Sequence, residues 1–437
     1  MVTLGSKLNL IMRLANAFLC VFILNITTIC LAQIPESTGH LVDFLNDKLE
    51  AIPGDGTDIY ADPTDSDFQV FTSAIELVAD HRFEEANTSL QTVGYQLLKF
   101  TDQNSSRVYY VVEEPGESQS KIFGGTYVYC YSCTREKVVI QAPHSLKDAD
   151  TGEQAILLFY NLQNKWLMNN GAHRCNSLTG SSCDGTTSVC LGVSSPYPIS
   201  DGAHNDKSLF QAATIGVDSY YTENNKELFI IQLHGFNKDS RPSDFPDIVA
   251  SYGTRDQPPV GRSESVALKT RIESLCNCSF GEYHIDTDID QLGGTTNTQG
   301  RYLNQSPDPC DENGTINSGK FYHFEQSRFI RDNQSFLLQA LEDISEPLTP
   351  VLASDDQHGL VKVYPNPVSD LLTIEFGDFN TERTFDLIGL SGEVIFSQLK
   401  ASTESQPVSF SELSTGIYFL KIFQKGELYF ETKILKE

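Results

Sequence analysis

KVVIQAPHSLKDADTGEQAILLFYNLQNKWLMNN, residues 137–170, carries the reading of the fold. Its first part is apolar and β-branched, Val138 to Ile140, and reads as a buried strand ending at His144. A polar loop, SLKDAD, follows. From Thr151 to Asn170 apolar residues recur at helical spacing, which predicts one long helix with Trp166, the single tryptophan, in the core. Asp150 or Thr151 stands where an N-cap belongs, and Glu153 falls in the first turn, where a carboxylate suits the helix dipole. A buried strand, a polar loop and a helix in succession form the repeating unit of α/β proteins.

The same alternation extends in both directions. Gln33 to Asp67 is polar and rich in Asp, Gly and Pro, which predicts a loose lead-in. Phe68, Phe71, Ile75 and Val78 fall on one helical face, and a second helix is expected from Glu84 to Phe100 with Leu90, Val93 and Leu97 inward. RVYYVVEE from Arg107 and GGTYVYC ending at Cys130 read as strands. Downstream, a helix through Phe210, Ala213 and Val217 precedes the strand ELFIIQLHGF, which contains His234. IVASYG is a further strand, Ser263 to Leu275 a helix, FYHFEQS a strand, and Arg328 to Ile344 a helix. The expected fold class is therefore α/β, a largely parallel or mixed sheet covered by helices. Glu346 to Leu360, with Pro347 and Pro350, reads as a linker to a separate C-terminal segment.

Two apolar strands end in histidine, His144 and His234, and in open α/β sheets ligands bind outside the strand ends. The loop after His144 supplies Asp148, Asp150 and Glu153. Two histidines and one carboxylate are the ligand set of a hydrolytic zinc site with an open position for water. FYHFEQSR carries His323, Glu325 and Arg328 in an otherwise apolar strand, where a charge needs a partner or a function; Glu325 would move the proton. Arg174, after Ala172-His173, is a candidate for a substrate carboxylate or for packing beside Cys175, and Arg255 in SYGTRD is an outlying one. His204 reads as a residue that caps or packs at a helix start. His40, His81, His284 and His358 read as surface residues.

Residues from about Val138 to Arg331 resemble the zinc amidohydrolases related to N-formylglutamate amidohydrolase and poly-γ-glutamate hydrolase, which share a core with zinc carboxypeptidases. APHSLKDADTGEQA is similar to their first metal loop, SDGAHNDKSLFQAATIG to the helix before the next metal strand, and IIQLHGF to that strand. The resemblance implies Zn2+ held by His144, a loop acid and His234, with Glu325 as proton shuttle. NTQGRYLNQ is similar to a substrate loop, which implies Arg301 as an anchor for a carboxylate. The HxxE pair of carboxypeptidases is absent, because Lys147 stands where the Glu would be, so the second ligand is open between Asp148 and Glu153. The expected activity is cleavage of an amide bond in a peptide or acyl-amino-acid type substrate. The alternative is a non-catalytic secreted or cell-surface binding module. A serine hydrolase lacks its nucleophile elbow.

From Val361 to Glu437 the pattern changes to roughly seven short apolar runs separated by turn residues, as in a small antiparallel β-sandwich. VKVYPNPVSD and TGIYFLKI resemble the C-terminal sorting domain (type A) of the type IX secretion system, which implies export across the outer membrane by that machinery. Lys7 and Arg13, the apolar stretch Leu14–Leu31 and the small Ala32 read as a signal peptide, residues 1–32, for entry to the periplasm. No later stretch is apolar enough to span a bilayer. The domain organisation expected is 1–32 signal, 33–67 lead-in, 68–345 hydrolase-like domain, 346–360 linker and 361–437 sorting domain.

The formal net charge is −27, and losing Lys7 and Arg13 with the signal leaves about −29, which argues against nucleic acid and anionic lipid as partners. Of ten cysteines, Cys20 and Cys30 lie in the signal. The remaining eight in an exported chain favour disulfides over a zinc site on Cys130-x-x-Cys133, with connectivity left open.

Overall fold

The N-terminal lead-in is ordered, contrary to its composition. In the computed structural model, Glu36–Gly39 form strand β1 and Leu41–Glu50 helix α1. Leu41, Leu45 and Leu49, spaced four apart, all turn into the core, and β1 runs parallel to the strand that carries Lys99, with Glu36 bonded to Lys99 at 3.0 Å. A short stretch with one apolar stripe folds because a neighbouring sheet edge covers it. The structure describes residues 33–116, 122–255, 263–283, 285–286, 289–344, 361–376, 383–389, 394–401, 405–424 and 427–436. The expected signal peptide, the linker at 346–360, and His284 and His358 lie outside the described residues. No helix among them is long and apolar enough to cross a membrane.

Helices α2 (Asp65–Ala79) and α3 (Phe83–Thr92) follow. The second expected helix stops early: Gly94 takes φ +79, and strand β2 (Gln96–Asp102) takes over with Leu97 buried. A left-handed glycine ends a helix at little steric cost. Strands β3 (Val108–Glu113), β4 (Thr126–Cys130) and β5 (Arg135–Ala142) lead to helix α4 (Thr151–Leu162). The long helix expected over 151–170 is also cut, at Gln163 with φ 54, and Asn164–Asn169 form β6, buried along its whole length. Trp166 is core, but on a strand. Helix α5 (Leu209–Glu223) precedes β7 (Phe229–Gly235), then β8 (Ile248–Ser251), α6 (Ser263–Leu275), β9 (Phe280–Glu282), α7 (Thr298–Leu303) and β10 (Phe321–Gln326). The last expected helix is two: α8 (Arg328–Asp332) and α9 (Ser335–Ile344).

These strands make one sheet in the order β1-β2-β3-β4-β6-β5-β7-β10-β8-β9. Its centre, β6-β5-β7-β10, is parallel, whereas β2-β3-β4-β6 and β10-β8 pair antiparallel, so the sheet is mixed. Separate apolar cores cover its two faces: Leu158, Phe159, Ile231 and Phe324 belong to one, Phe71, Trp166, Phe210 and Ile230 to the other. The α/β class follows from this burial of a central parallel sheet on both sides.

The chain divides into two compact units, up to Ser345 and from Glu346. The second is all-β. Strands β11 (Val361–Tyr364), β12 (Leu371–Phe376) and β15 (Ser405–Ser409) form one antiparallel sheet. Strands β13 (Arg383–Gly389), β14 (Val394–Lys400), β16 (Gly416–Gln424) and β17 (Glu427–Lys436) form the other. Leu372, Ile374, Phe385, Leu387, Leu420 and Ile434 share its core. Alternation along β12 buries Leu372, Ile374 and Phe376 and turns the intervening residues outward, the period of a strand with one wet face.

The eight cysteines pair as Cys130–Cys133, Cys175–Cys190, Cys183–Cys310 and Cys276–Cys278. The Cys-x-x-Cys is a disulfide.

Candidate metal centre

β5 and β7 lie side by side and parallel, with Ile140 opposite Ile231 and Gln141 opposite Gln232. Their C-terminal ends therefore emerge together, and the histidines just beyond each pairing meet, with ring centroids 4.9 Å apart for His144 and His234. The loop after His144 folds back tightly: Asp148 N–H donates to His144 C=O at 3.1 Å and the Thr151 hydroxyl to the same oxygen at 3.4 Å. That turn carries the Asp148 carboxylate over the two rings. Its Oδ2 lies 2.9 Å from His144 Nδ1 and 3.4 Å from His234 Nδ1, and accepts the Gly235 N–H at 3.2 Å. A Cβ at Gly235 would stand 2.6 Å from the Arg331 guanidinium, which donates to Ala149 C=O at 2.7 Å, so a larger residue there would displace that arginine.

β10 is the next parallel strand, and Glu325 is in register with His234. His323 precedes it on the same face, its ring 4.3 Å from that of His234 and its Nε2 3.8 Å from Glu325 Oε1. His323 Nδ1 and Glu325 Oε2 are both buried without a hydrogen-bond partner among the described residues. Burial first, and then the charge of Asp148, push Glu325 up to about 8. Burial holds His234 down at about 4 and, with His234 beside it, keeps His323 well below the usual imidazole range.

A loop before α5 closes the cluster with Asp201, which is fully buried. It contacts His144 Nε2 at 2.7 Å, His204 Nδ1 at 2.9 Å and Arg174 at 2.6 Å. Burial alone would raise the Asp201 pKa, but Arg174, His204 and His144 outweigh it and leave the carboxyl well below its ordinary value. Burial and Arg174 would lower His144, yet Asp201 and Asp148 prevail and raise it. His204 stacks on Tyr197 with ring centroids 3.7 Å apart and the planes nearly parallel.

Of the sequence-derived candidates, the structure brings together His144, Asp148, His234, Glu325 and Arg174. Glu153 is a correction: it lies on the exposed face of α4, whose other face, with Gln154, Ala155 and Leu158, is buried. Arg301 is another. It is buried, and its guanidinium grips Asp184 at 2.6 and 3.2 Å and donates to Thr295 and Cys310 carbonyls, which leaves it as a brace rather than a substrate anchor. Arg255 is exposed beyond β8. Arg328 is an exposed surface ion pair with Asp150 and Asp332. Sequence reasoning missed Asp201 and left His204 as a packing residue. The available signal was SDGAHND, a carboxylate three residues before a histidine in a glycine-containing loop.

The donor chemistry fits a cation. The described residues form the group His144, Asp148 and His234, with ligand atoms all within 4.8 Å of one another. The far ring nitrogens of both histidines face acceptors, Asp201 Oδ1 and Gln232 Oε1 at 2.7 Å each. With those nitrogens protonated, two Nδ1 lone pairs and a carboxylate oxygen converge on one point, and such an arrangement is repulsive unless a positive charge lies among them.

Residues 362–437 match the family described as a secretion system C-terminal sorting domain. No curated protein matches the chain. Among solved structures, succinylglutamate desuccinylase from Chromobacterium violaceum is similar, at 13% identity over 68% of this chain and 82% of that one, with a TM-score of 0.30. An aspartoacylase family protein from Mesorhizobium loti is similar at 9% identity, 76% and 94% coverage and a TM-score of 0.27. A DUF3244 family protein with an immunoglobulin-like β-sandwich from Bacteroides vulgatus covers 19% of this chain and 93% of its own, at 16% identity and a TM-score of 0.17.

Proposed function

Residues 362–437 being a type IX secretion sorting domain that sends the chain to the cell surface or the extracellular space, we propose that the first unit is an exported zinc-dependent amidohydrolase or peptidase. The observation that carries this reading is the convergence of His144 Nδ1, His234 Nδ1 and Asp148 Oδ2 beside a carboxylate, Glu325, with one oxygen unpartnered. His144, Asp148 and His234 would hold the metal, which supplies a Lewis acid for an amide carbonyl and acidifies water. Asp201 and Gln232 orient the two imidazoles. Glu325 accepts a proton from the attacking water and returns it to the leaving nitrogen. Neutralising Asp148 with a cation removes part of what raises the Glu325 pKa, and so favours its proton-accepting form. Arg174, fixed by Asp201, presents its remaining guanidinium edge to a carboxylate or carbonyl oxygen of a peptide or acyl-amino-acid substrate. We also assign 346–360 as the linker and the hydrolase domain as the expected 68–345 extended back through α1 and β1, which join its core and sheet.

One observation favours a second reading, a surface binding module without a metal. Arg174 Nη1 sits 3.4 Å from His144 Nδ1 and 4.0 Å from Asp148 Oδ1, so a guanidinium already supplies positive charge to the cluster. Metal content separates the two. Purified protein is analysed for zinc by mass spectrometry beside a His144→Ala, His234→Ala double variant. About one zinc per chain, lost in the variant with the fold retained, supports the hydrolase and directs a screen of amide substrates. A native protein that stays metal-free after incubation with zinc overturns it in favour of the binding module.

A further inference from the structure

The two histidines of the cluster are oriented by different chemistry. His144 leans on a charged carboxylate, whereas His234 Nε2 meets a neutral amide oxygen, Gln232 Oε1, at 2.7 Å. A neutral imidazole can carry its proton on either nitrogen, and an amide can present either oxygen or NH2, so this contact is ambiguous taken alone. The surroundings of Gln232 remove the ambiguity. Its Oε1 also accepts from Asn297 Nδ2, and Asn297 cannot turn round, because its Oδ1 caps helix α7 by accepting the Gly300 N–H at 2.9 Å. Gln232 Nε2 donates to Gln299 Oε1 at 3.1 Å, and Gln299 is fixed in turn because its own Nε2 donates to the Gly202 C=O at 2.9 Å. The second hydrogen of Gln232 goes to Gln141 Oε1 at 2.9 Å. Gln141 Nε2 donates to Thr214 Oγ1 at 2.9 Å, whose hydroxyl is committed to the Phe210 C=O at 3.0 Å.

Each branch ends on a backbone group that can only donate or only accept: Gly300 N–H, Gly202 C=O and Phe210 C=O. Turning the Gln232 amide would set NH2 against NH2 at Asn297 and oxygen against oxygen at Gln299 and Gln141, all in a buried site where water cannot replace the lost hydrogen bonds. We propose that Gln232 is a positioning residue which, through this buried amide network, holds His234 as the Nε2–H tautomer and keeps its Nδ1 lone pair facing Asp148. The metal tautomer would then be written by a helix cap two side chains away. Its use for a metal rests on the proposed function; the tautomer itself does not.

The test reads the tautomer directly. The full chain is labelled with 15N in the histidine rings and stripped of metal with a chelator. Two-bond 15N–1H correlations are then recorded, with His234 assigned by its loss in His234→Gln. The expected result is Nε2–H in the native chain, a mixture of tautomers in Gln232→Met, and zinc affinity weaker by about 10- to 100-fold in that variant, with the far-UV circular dichroism unchanged. Gln232→Leu, equally without an acceptor oxygen for His234, carries the same signature should Gln232→Met fail to fold. An Nδ1–H tautomer in the native chain overturns the proposal, as does an Nε2–H signal unaltered in both variants. If the native chain shows Nε2–H and the variants lose it, but no zinc binds, the positioning role stands and the metal assignment falls.

Discussion

Glu325 and Asp201 show how much one buried carboxylate can mean in different surroundings. Glu325 has an unpartnered oxygen and a pKa pushed up to about 8, the signature of a group kept for a proton. Glu325→Gln preserves shape and removes the proposed base. Its kcat on any amide substrate found by screening should fall by about 10²–10⁴-fold, with zinc content unchanged. A variant that retains full activity removes Glu325 from the mechanism. Asp201 is the opposite case, with its oxygens engaged by His144, His204 and Arg174. Asp201→Asn keeps the size but takes away the charge that holds all three. Zinc affinity should drop by about 10–100-fold, measured by competition with a chelating dye, and unchanged affinity would show that His144 needs no such support.

Elements here are joined by polar ties as well as apolar faces. Asp102, the last residue of β2, accepts the Leu41 N–H at the start of α1, the Ser105 N–H and hydroxyl, and the Tyr160 hydroxyl from α4. Burial works to raise its pKa, but these hydrogen bonds prevail and lower it. A carboxyl depressed in the folded state adds stability at pH above its ordinary value of about 4 and loses that contribution as the pH falls toward the folded value. Acid unfolding followed by circular dichroism should therefore be shallower below about pH 4 in Asp102→Asn than in the native chain; identical acid limbs would count against the tie. The Cys183–Cys310 disulfide closes a separation of 127 residues and clamps the segment held by the Arg301–Asp184 pair. Replacing both cysteines by alanine should cost about 2–5 kcal/mol, read as a lower Tm, while zinc content is kept because neither cysteine belongs to the cluster. An unshifted Tm would mean that the segment is held by its hydrogen bonds alone.

At the scale of the molecule, the sorting domain and the proposed metal centre belong to separate units. A chain lacking residues 361–437 should remain inside the outer membrane, detected by fractionation and immunoblotting, with zinc content per chain unaltered. Its appearance in the medium at native levels would deny the C-terminal unit its role in export. Both strands that lead to His144 and His234, and the one that carries Glu325, are legible as apolar runs, because burial on both faces leaves a continuous hydrophobic stretch. The β12 alternation is legible for the converse reason, one wet face. The helices drawn through 84–100 and 151–170 failed where Gly94 and Gln163 turn the chain, since helix and strand share apolar residues and only the neighbouring strand decides between them. The sequence by itself determined the α/β class and the sandwich with its sorting motifs, and it pointed to three residues of the cluster, His144, His234 and Glu325, with Asp148 as one of two alternatives. The tertiary structure alone decided that Asp148 and not Glu153 faces the histidines, that Arg301 is a brace, and that Asp201 and Gln232 orient the rings. Those choices depend on which strands lie side by side and on where each polar group finds a partner once buried, and neither is encoded at any fixed spacing along the chain.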